Sequence, residues 1–168
     1  EVDPQAAPAT YDLTGVVKLN MTYPEGASDA ETLMVDPLTA DIVIVTKRSD
    51  GKSRVYRYAY PQDPSQTPVM SLVATLAFGS SALPGGATAT AGDISPLGNW
   101  IVVKTYSSAF LWLRSGGEDL GDAFARSACA VPLRSESAGE AIGFAADGSG
   151  YFTVSEGSHP ALYFFEHI

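Results

Sequence analysis

Charged residues stand beside three segments of the chain that have the pattern of a β-hairpin. In each segment a short apolar strand is followed by a turn and a second strand, and the paired strands of a hairpin are antiparallel. The start of the first strand and the end of the second strand therefore lie on the same rim of a sheet. The sequence places six charged residues on this rim: Asp29, Glu31, Lys47, Lys104, Glu140 and Glu156.

The carboxylates of this rim allow two interpretations. Carboxylate oxygens are ligands that Ca²⁺ prefers, so the rim could hold calcium, with Glu31 and Glu140 as the first residues to test and Asp29 and Glu156 as further ligands. A polar ligand could bind there instead. In the second interpretation the charges are structural, and they form ion pairs and caps that tie neighbouring sheets together. Calcium is the one cofactor that the sequence leaves open.

Motifs for covalent catalysis are sparse. Ser155, Glu156 and His159 are the residue types of a hydrolase triad, but residues so close together at a strand end rarely form one. The sequence also lacks the Gly-x-Ser-x-Gly motif of a nucleophile elbow. The second histidine, His167, is the penultimate residue. These residues are therefore predicted to form turns, and no catalytic residue is assigned.

Two further residues carry chemistry of other kinds. The single cysteine, Cys129, rules out an intrachain disulfide, and its apolar neighbours predict a small buried side chain. Asn20 begins an Asn-Met-Thr sequence, which is a site for N-glycosylation in a secreted eukaryotic protein. So short a motif inside a predicted strand is expected by chance.

A threefold repeat organises the chain. Its copies begin at residues 31, 90 and 140, and each has an apolar strand, a turn with Pro, Asp or Gly, and a strand rich in β-branched or aromatic residues. Further strand-like segments follow each copy. Units of about 40 to 50 residues with about four strands each are typical of β-propellers. The sequence therefore predicts an all-β chain of about three four-stranded antiparallel β-propeller-type blades, a partial propeller, with one short helix in a loop.

The predicted organisation is a single partial propeller domain over residues 1–168. Its parts are an N-terminal tail (1–10), an orphan strand (13–23), a blade (29–78), a blade with a helix at 118–126 (90–133), and an incomplete blade (139–168). Three blades cannot close a ring, since propellers have at least about four. The orphan strand could belong to a blade whose inner strands are absent, or it could pair with the incomplete blade.

Charge and hydropathy limit the partners. The chain has 19 acidic and 10 basic residues and a formal net charge of −9. A surface of this sign repels phosphate backbones, so nucleic acid is not expected as a partner. No stretch approaches the roughly 20 apolar residues of a membrane-spanning helix.

The repeats also resemble a known group of proteins. The segments 29–39, 92–96, 104–106, 139–148 and 155–157 are similar to the C-terminal half of secreted or surface-associated bacterial β-propeller proteins, broadly of the NHL, TolB and YVTN types. This resemblance covers about residues 10–165. It implies a propeller fold and an extracytoplasmic location, and it implies little about activity, because one fold hosts many roles.

The expected function is a non-enzymatic binding or assembly module. Edge strands left bare invite pairing with another chain, so the missing blades are expected from another copy or from a second polypeptide. The alternative is a calcium-dependent propeller hydrolase of phosphate or ester substrates that uses the carboxylates of the rim.

Overall fold

Eleven strands and one helix follow the repeat along the residues that the computed structural model describes, which are 10, 12 and 14–166. The first sheet contains β1 (Ala30–Val35), β2 (Ile42–Thr46), β3 (Lys52–Tyr58) and β4 (Ser71–Ala77). The second contains β5 (Ala89–Ile94), β6 (Trp100–Thr105), β7 (Ala109–Leu113) and β8 (Cys129–Val131), with α1 (Leu120–Phe124) between the last two strands. The third contains β9 (Gly139–Phe144), β10 (Gly150–Ser155) and β11 (Leu162–Glu166).

Each sheet is antiparallel, and its strands follow one another in chain order. The first strands of the three sheets lie side by side, with β1 beside β5 and β5 beside β9. This is the arrangement of three neighbouring β-propeller-type blades, and it confirms the predicted fold class. The third blade has three strands within the described part of the chain, since no strand pairs there with the outer side of β11.

The main core lies between the first and second sheets. Strands β2 and β6 are rich in Val and Ile, whose branched side chains pack well on a pleated surface. The core residues include Val43, Val45, Val55, Ile101, Val103 and Trp112. Helix α1 adds three buried side chains to this core, Leu120, Ala123 and Phe124, and the Asp119 carboxylate caps its first turn. No helix in the described ranges is long and apolar enough to cross a membrane.

An equivalent irregularity near the start of each first strand fixes how the repeats align. The pairs Ala30–Thr46, Ala89–Thr105 and Gly139–Ser155 occupy the same position in the three blades, and a shift of register follows each pair. Such a shift is typical of a β-bulge, which re-aims a side chain at the end of a ladder. The residues carried by these bulges, and therefore equivalent, are Glu31, Thr90 and Glu140.

The predicted orphan strand at 13–23 differs from the structure. Residues 14–21 have no regular structure, and Thr22 makes a single parallel bridge with Val69. Met21 and Tyr23 pack on the outer part of the first sheet, against Tyr56 and its neighbours. A strand needs a ladder along its length, and within residues 14–23 only Thr22 forms backbone hydrogen bonds with a distant part of the chain.

The prediction that Cys129 is buried is wrong. Its side chain is exposed, because it lies on β8, a three-residue strand at the outer edge of the second sheet. The apolar neighbours that suggested burial, Ala128 and Val131, are themselves only partly buried. A short outer strand has no further strand to cover it, so local hydropathy overestimates burial there.

Candidate binding rim across three blades

Four of the six predicted rim residues meet in one chain of polar contacts, which we call the charged rim. The residues that follow the second strands, Lys47, Tyr106 and Glu156, are equivalent in the three blades, as are Glu31 and Glu140 at the bulges. The chain of contacts runs in the order Glu31, Lys47, Tyr106, Glu140 and Glu156. It therefore links all three blades at one end of the molecule.

Lys47 is the cation of the charged rim. Its Nζ donates to Glu31 Oε1 at 2.7 Å and to the Tyr106 hydroxyl at 2.9 Å, and it lies 3.9 Å from Glu140 Oε1. Its Nζ also lies 4.9 Å from the centre of the Tyr106 ring. Burial alone would lower the pKa of this ammonium, but the hydrogen bonds to Glu31 and Tyr106 outweigh burial and raise it. Lys47 is therefore firmly charged.

Two carboxyl groups complete the charged rim. The Tyr106 hydroxyl donates to Glu140, and this hydrogen bond lowers the pKa of Glu140. Glu156 shares a hydrogen bond with Glu140, and the neighbouring carboxylate raises the pKa of Glu156. Of the two groups, Glu156 therefore has the higher affinity for a proton.

Lys104 does not belong to the exposed part of this rim. Its side chain is fully buried, and its Nζ donates to the Gly139 carbonyl at 2.5 Å and pairs with Glu136 Oε2 at 3.2 Å. Burial is the main influence on the pKa of this ammonium and lowers it. Charge alone matches Lys104 with Lys47, whereas the register makes Tyr106 the equivalent residue. Counting back from the strand ends would have found this.

The calcium hypothesis concerns the carboxylates of Asp29, Glu31, Glu140 and Glu156. Among the described residues, no group of three or more Asp, Glu, His or Cys side chains could hold a metal ion. The Asp29 side chain is exposed, and the contact that ties this residue to the rim is its backbone carbonyl, which accepts from Lys47 N at 2.8 Å. The Lys47 ammonium lies between Glu31 and Glu140. Calcium at these residues stays a prediction.

A polar groove of about 360 Å³ adjoins the charged rim at the third blade. Glu156 and Ser155 line one side of it, and the segment before β9 and the β10–β11 turn line the others. Its further lining residues are Ser135, Glu136, Ser137, Ser158, Pro160, Ala161 and Tyr163. Hydroxyl and carboxyl groups thus dominate this concave surface beside the charged rim.

The residue types of a triad are present at this groove without the contacts of one. The Ser155 hydroxyl accepts from Ala138 N at 3.1 Å, while His159 Nδ1 lies 2.9 Å from the Ser158 hydroxyl. His159 has a positive φ of 57°, as expected for a turn residue. His167 lies outside the described residues. Asn20 is half-buried, and its glycosylation stays a prediction.

The opposite rim holds a buried ion pair that the sequence analysis missed. Arg114, which follows β7, donates from one guanidinium nitrogen to both carboxylate oxygens of Asp36 at 2.9 Å. Asp36 is in the β1–β2 turn, so the pair ties the first blade to the second. A cavity of about 310 Å³ lies between the equivalent turns of the second and third blades, with Ser95, Asn99, Trp100 and Asp147 in its lining. An Asp-Pro turn was the only signal for Asp36.

Comparisons with known proteins give structural neighbours alone. No protein-family model and no curated protein sequence matches the chain. The C-terminal WD40 domain of Sif2 is similar, with a TM-score of 0.49 and 13% identity over 81% of this chain and 34% of that one. Sqt1 of Saccharomyces cerevisiae has a TM-score of 0.47 and 7% identity over 88% of this chain and 37% of its own. The chain thus spans about a third of each structure.

Proposed function

We propose that this chain is a non-enzymatic binding and assembly module that completes a β-propeller with blades from another chain. The observation that carries the proposal is that both ends of the row of three blades present apolar sheet faces to solvent. Such faces are normally covered in a folded protein, and contiguous exposed apolar surface marks an interaction site.

The first of these surfaces is the face of the first sheet that points away from the second, and we call it the leading face. Leu33 and Val35 on β1 are 63% and 55% exposed on it, and they pair in register with Ile44 and Ile42. The outer part of this face is covered by Met21 and the residues around it. Its inner part, along β1, is open.

The second surface is the face of the third sheet that points away from the second, and we call it the trailing face. Its side chains are, by register, Ala141, Gly143, Phe152, Val154, Leu162 and Phe164. Leu162 is 63% exposed and Phe164 is 46% exposed, and the Phe164 ring packs 4.8 Å from that of Phe152. This aromatic and aliphatic face is the counterpart of the faces buried between the other blades.

The charged rim supports a structural role in this assembly. Lys47 and Tyr106 make hydrogen bonds or ion pairs to residues of neighbouring blades, and Lys104 and Arg114 do the same below the surface. These contacts favour the interpretation in which the charges tie blades together. An extracytoplasmic location remains part of the proposal and rests on the resemblance alone.

The solution mass of the purified chain tests this proposal. Light scattering combined with intact-mass spectrometry on the same peak is expected to give a multiple of the 17.6 kDa chain mass or a complex with a second polypeptide. Either result is expected if further blades cover the apolar end faces. A stable peak of single chains, unchanged over a hundredfold range of concentration, would contradict the proposal.

A further inference from the structure

We propose that the occupant of the trailing face is the leading face of a second copy of this chain, so that two copies close a ring of six blades. This inference rests on the assembly function proposed above and names the partner. It is drawn from the positions that the repeat assigns to each residue of the three inner strands.

The aligned registers show which residues of an inner strand point to which neighbour. On β5, Gly92 and Ile94 point to the first blade, while Ala91 and Asp93 point to the third. We call the neighbour toward the N-terminal side the preceding blade and the neighbour toward the C-terminal side the following blade. By register, the residues that point to the preceding side are Leu33 and Val35 on β1, and Ile142 and Phe144 on β9. Those that point to a following blade are Thr32 and Met34 on β1, and Ala141 and Gly143 on β9.

Both existing interfaces place a small side chain against a large one at these positions. Between the first and second blades, a Cβ on Gly92 would lie 2.8 Å from Thr32 Cγ2 and 3.3 Å from Met34 Sδ, so glycine makes room for Thr32 and Met34. Between the second and third blades, Ala91 packs in one cluster with Ile142, and Phe144 packs against it. Dense packing requires such pairing of sizes.

The two open faces have the sizes that this rule requires of each other. The trailing face presents Ala141 and Gly143, the smallest residues of any of the three following-side pairs. The leading face presents Leu33 and Val35, which are large and exposed. If the leading face of one copy packs on the trailing face of another, small residues again meet large ones in the register of the existing interfaces.

The N-terminal segment fits the same assembly. The third sheet ends at β11 in the described part of the chain, whereas the first and second sheets have a fourth strand that leads into the next inner strand. Residues 16–23 precede β1 as β8 precedes β9. The bridge between Thr22 and Val69 is parallel and lies just before β4, so the chain at Thr22 runs in the direction of β4. The fourth strand of a blade that packs on the leading face would have this position and direction. Residues 16–23 of each copy would therefore pair with β11 of the other.

This contact joins two different surfaces. A ring of two copies closes because the leading face of each copy packs on the trailing face of the other. Each copy supplies one leading and one trailing face, so two contacts related by a twofold axis leave no open end. Six blades fall within the usual range of propellers. The closed ring would also remove the exposed edge of β11.

Glutamate substitutions on the two faces test the proposal. Leu33→Glu on the leading face and Leu162→Glu on the trailing face are each expected to convert a particle of twice the 17.6 kDa chain mass to single chains. Both positions are 63% exposed within one chain, so the fold of each chain should survive, as circular dichroism would verify. Leu97→Glu is the matched control, since Leu97 is 77% exposed but lies on a turn at the opposite rim.

A disulfide test identifies the register. In a Cys129→Ser background, chains with Leu33→Cys are mixed with chains with Ala141→Cys and oxidised. A covalent dimer is expected in the mixture, at least tenfold above either chain alone and above a Leu97→Cys mixture. If the particle of two chains keeps its mass in Leu33→Glu and in Leu162→Glu, the inference is overturned but the assembly function is not. A complex with a second polypeptide would have the same consequence. Stable single chains would overturn both.

Discussion

Lys104 shows how one residue can join two blades from inside. In the first and third blades the equivalent positions are Val45 and Val154, and the second blade has an ammonium there. Lys104 is fully buried and Glu136 is 2% exposed, so this pair is removed from solvent. Because Thr153 also donates to Glu136 at 2.8 Å, the carboxylate draws three elements together.

We expect Lys104→Met to lower the free energy of unfolding by about 3–5 kcal/mol, because it leaves the Glu136 carboxylate buried without its cation. The double variant Lys104→Met/Glu136→Gln should recover much of this loss, since no uncompensated charge remains. Urea unfolding at one protein concentration measures both. The control is Lys47→Met on the charged rim, where a partly exposed pair contributes about 0–1 kcal/mol. An equal cost for Lys104→Met and Lys47→Met would refute the role of the buried pair.

The carboxyl pair of the charged rim predicts a pH effect. The raised pKa of Glu156 arises mainly from its hydrogen bond with Glu140. Glu140→Gln removes the neighbouring negative charge and places an amide donor beside Glu156, so the pKa of Glu156 should fall to its ordinary value or below. Carbon-13 NMR titration of the Glu156 carboxyl measures this pKa. Glu166→Gln, at the far end of β11, is the control and should leave it unchanged.

The sign of the linked stability follows from the direction of this shift. A carboxyl whose pKa is raised on folding stabilises the fold at a pH below its unfolded pKa, and this contribution is lost as the pH rises through the folded pKa. Glu140, whose pKa is lowered, contributes in the opposite direction. In Glu140→Gln both contributions should disappear. A Glu156 pKa that stays raised in this variant would mean that another group holds it.

At the scale of elements, the hairpins could be predicted from sequence because their signals are local. The Pro, Asp and Gly turns between β-branched runs placed β1, β2, β5, β6, β9 and β10 within a few residues of their observed bounds. Helix α1 was also found, although it is shorter than predicted, because Asp119 caps it at the second predicted position. Turn chemistry and strand propensity are properties of neighbouring residues.

The elements that sequence did not predict depend on distant partners. Residues 16–23 have a strand-like composition, yet only Thr22 forms backbone hydrogen bonds with a distant part of the chain, and two partly buried side chains of the segment pack on a sheet face. Cys129 is exposed because β8 is an outer strand. The charged rim was predicted in outline, but a two-residue error in alignment placed Lys104 where Tyr106 lies. Counting from the end of the second strand corrects this, because Tyr106 directly follows β6.

At the scale of the whole molecule, the burial of strands from solvent differs between the ends and the middle of the row of blades. The second sheet is flanked on both faces, and Ile101, Val102, Val103 and Lys104 of β6 are fully buried. Strand β11 pairs on one side with β10, and in a single chain its other backbone edge faces solvent within the described residues. Amide exchange follows such local openings, so it reports whether a further strand covers β11.

We therefore expect deuterium exchange to separate the closed ring from single chains. In the native chain at a concentration where the ring forms, residues 162–166 should exchange slowly, because residues 16–23 of the partner pair with them. In Leu33→Glu the same residues should exchange at least tenfold faster, whereas β6 should change little, since its neighbours lie within one chain. Mass spectrometry of peptides that cover β6 and β11 provides the measurement. Fast exchange at β11 in a native particle of two chains would contradict the pairing of this strand with residues 16–23 of the partner copy.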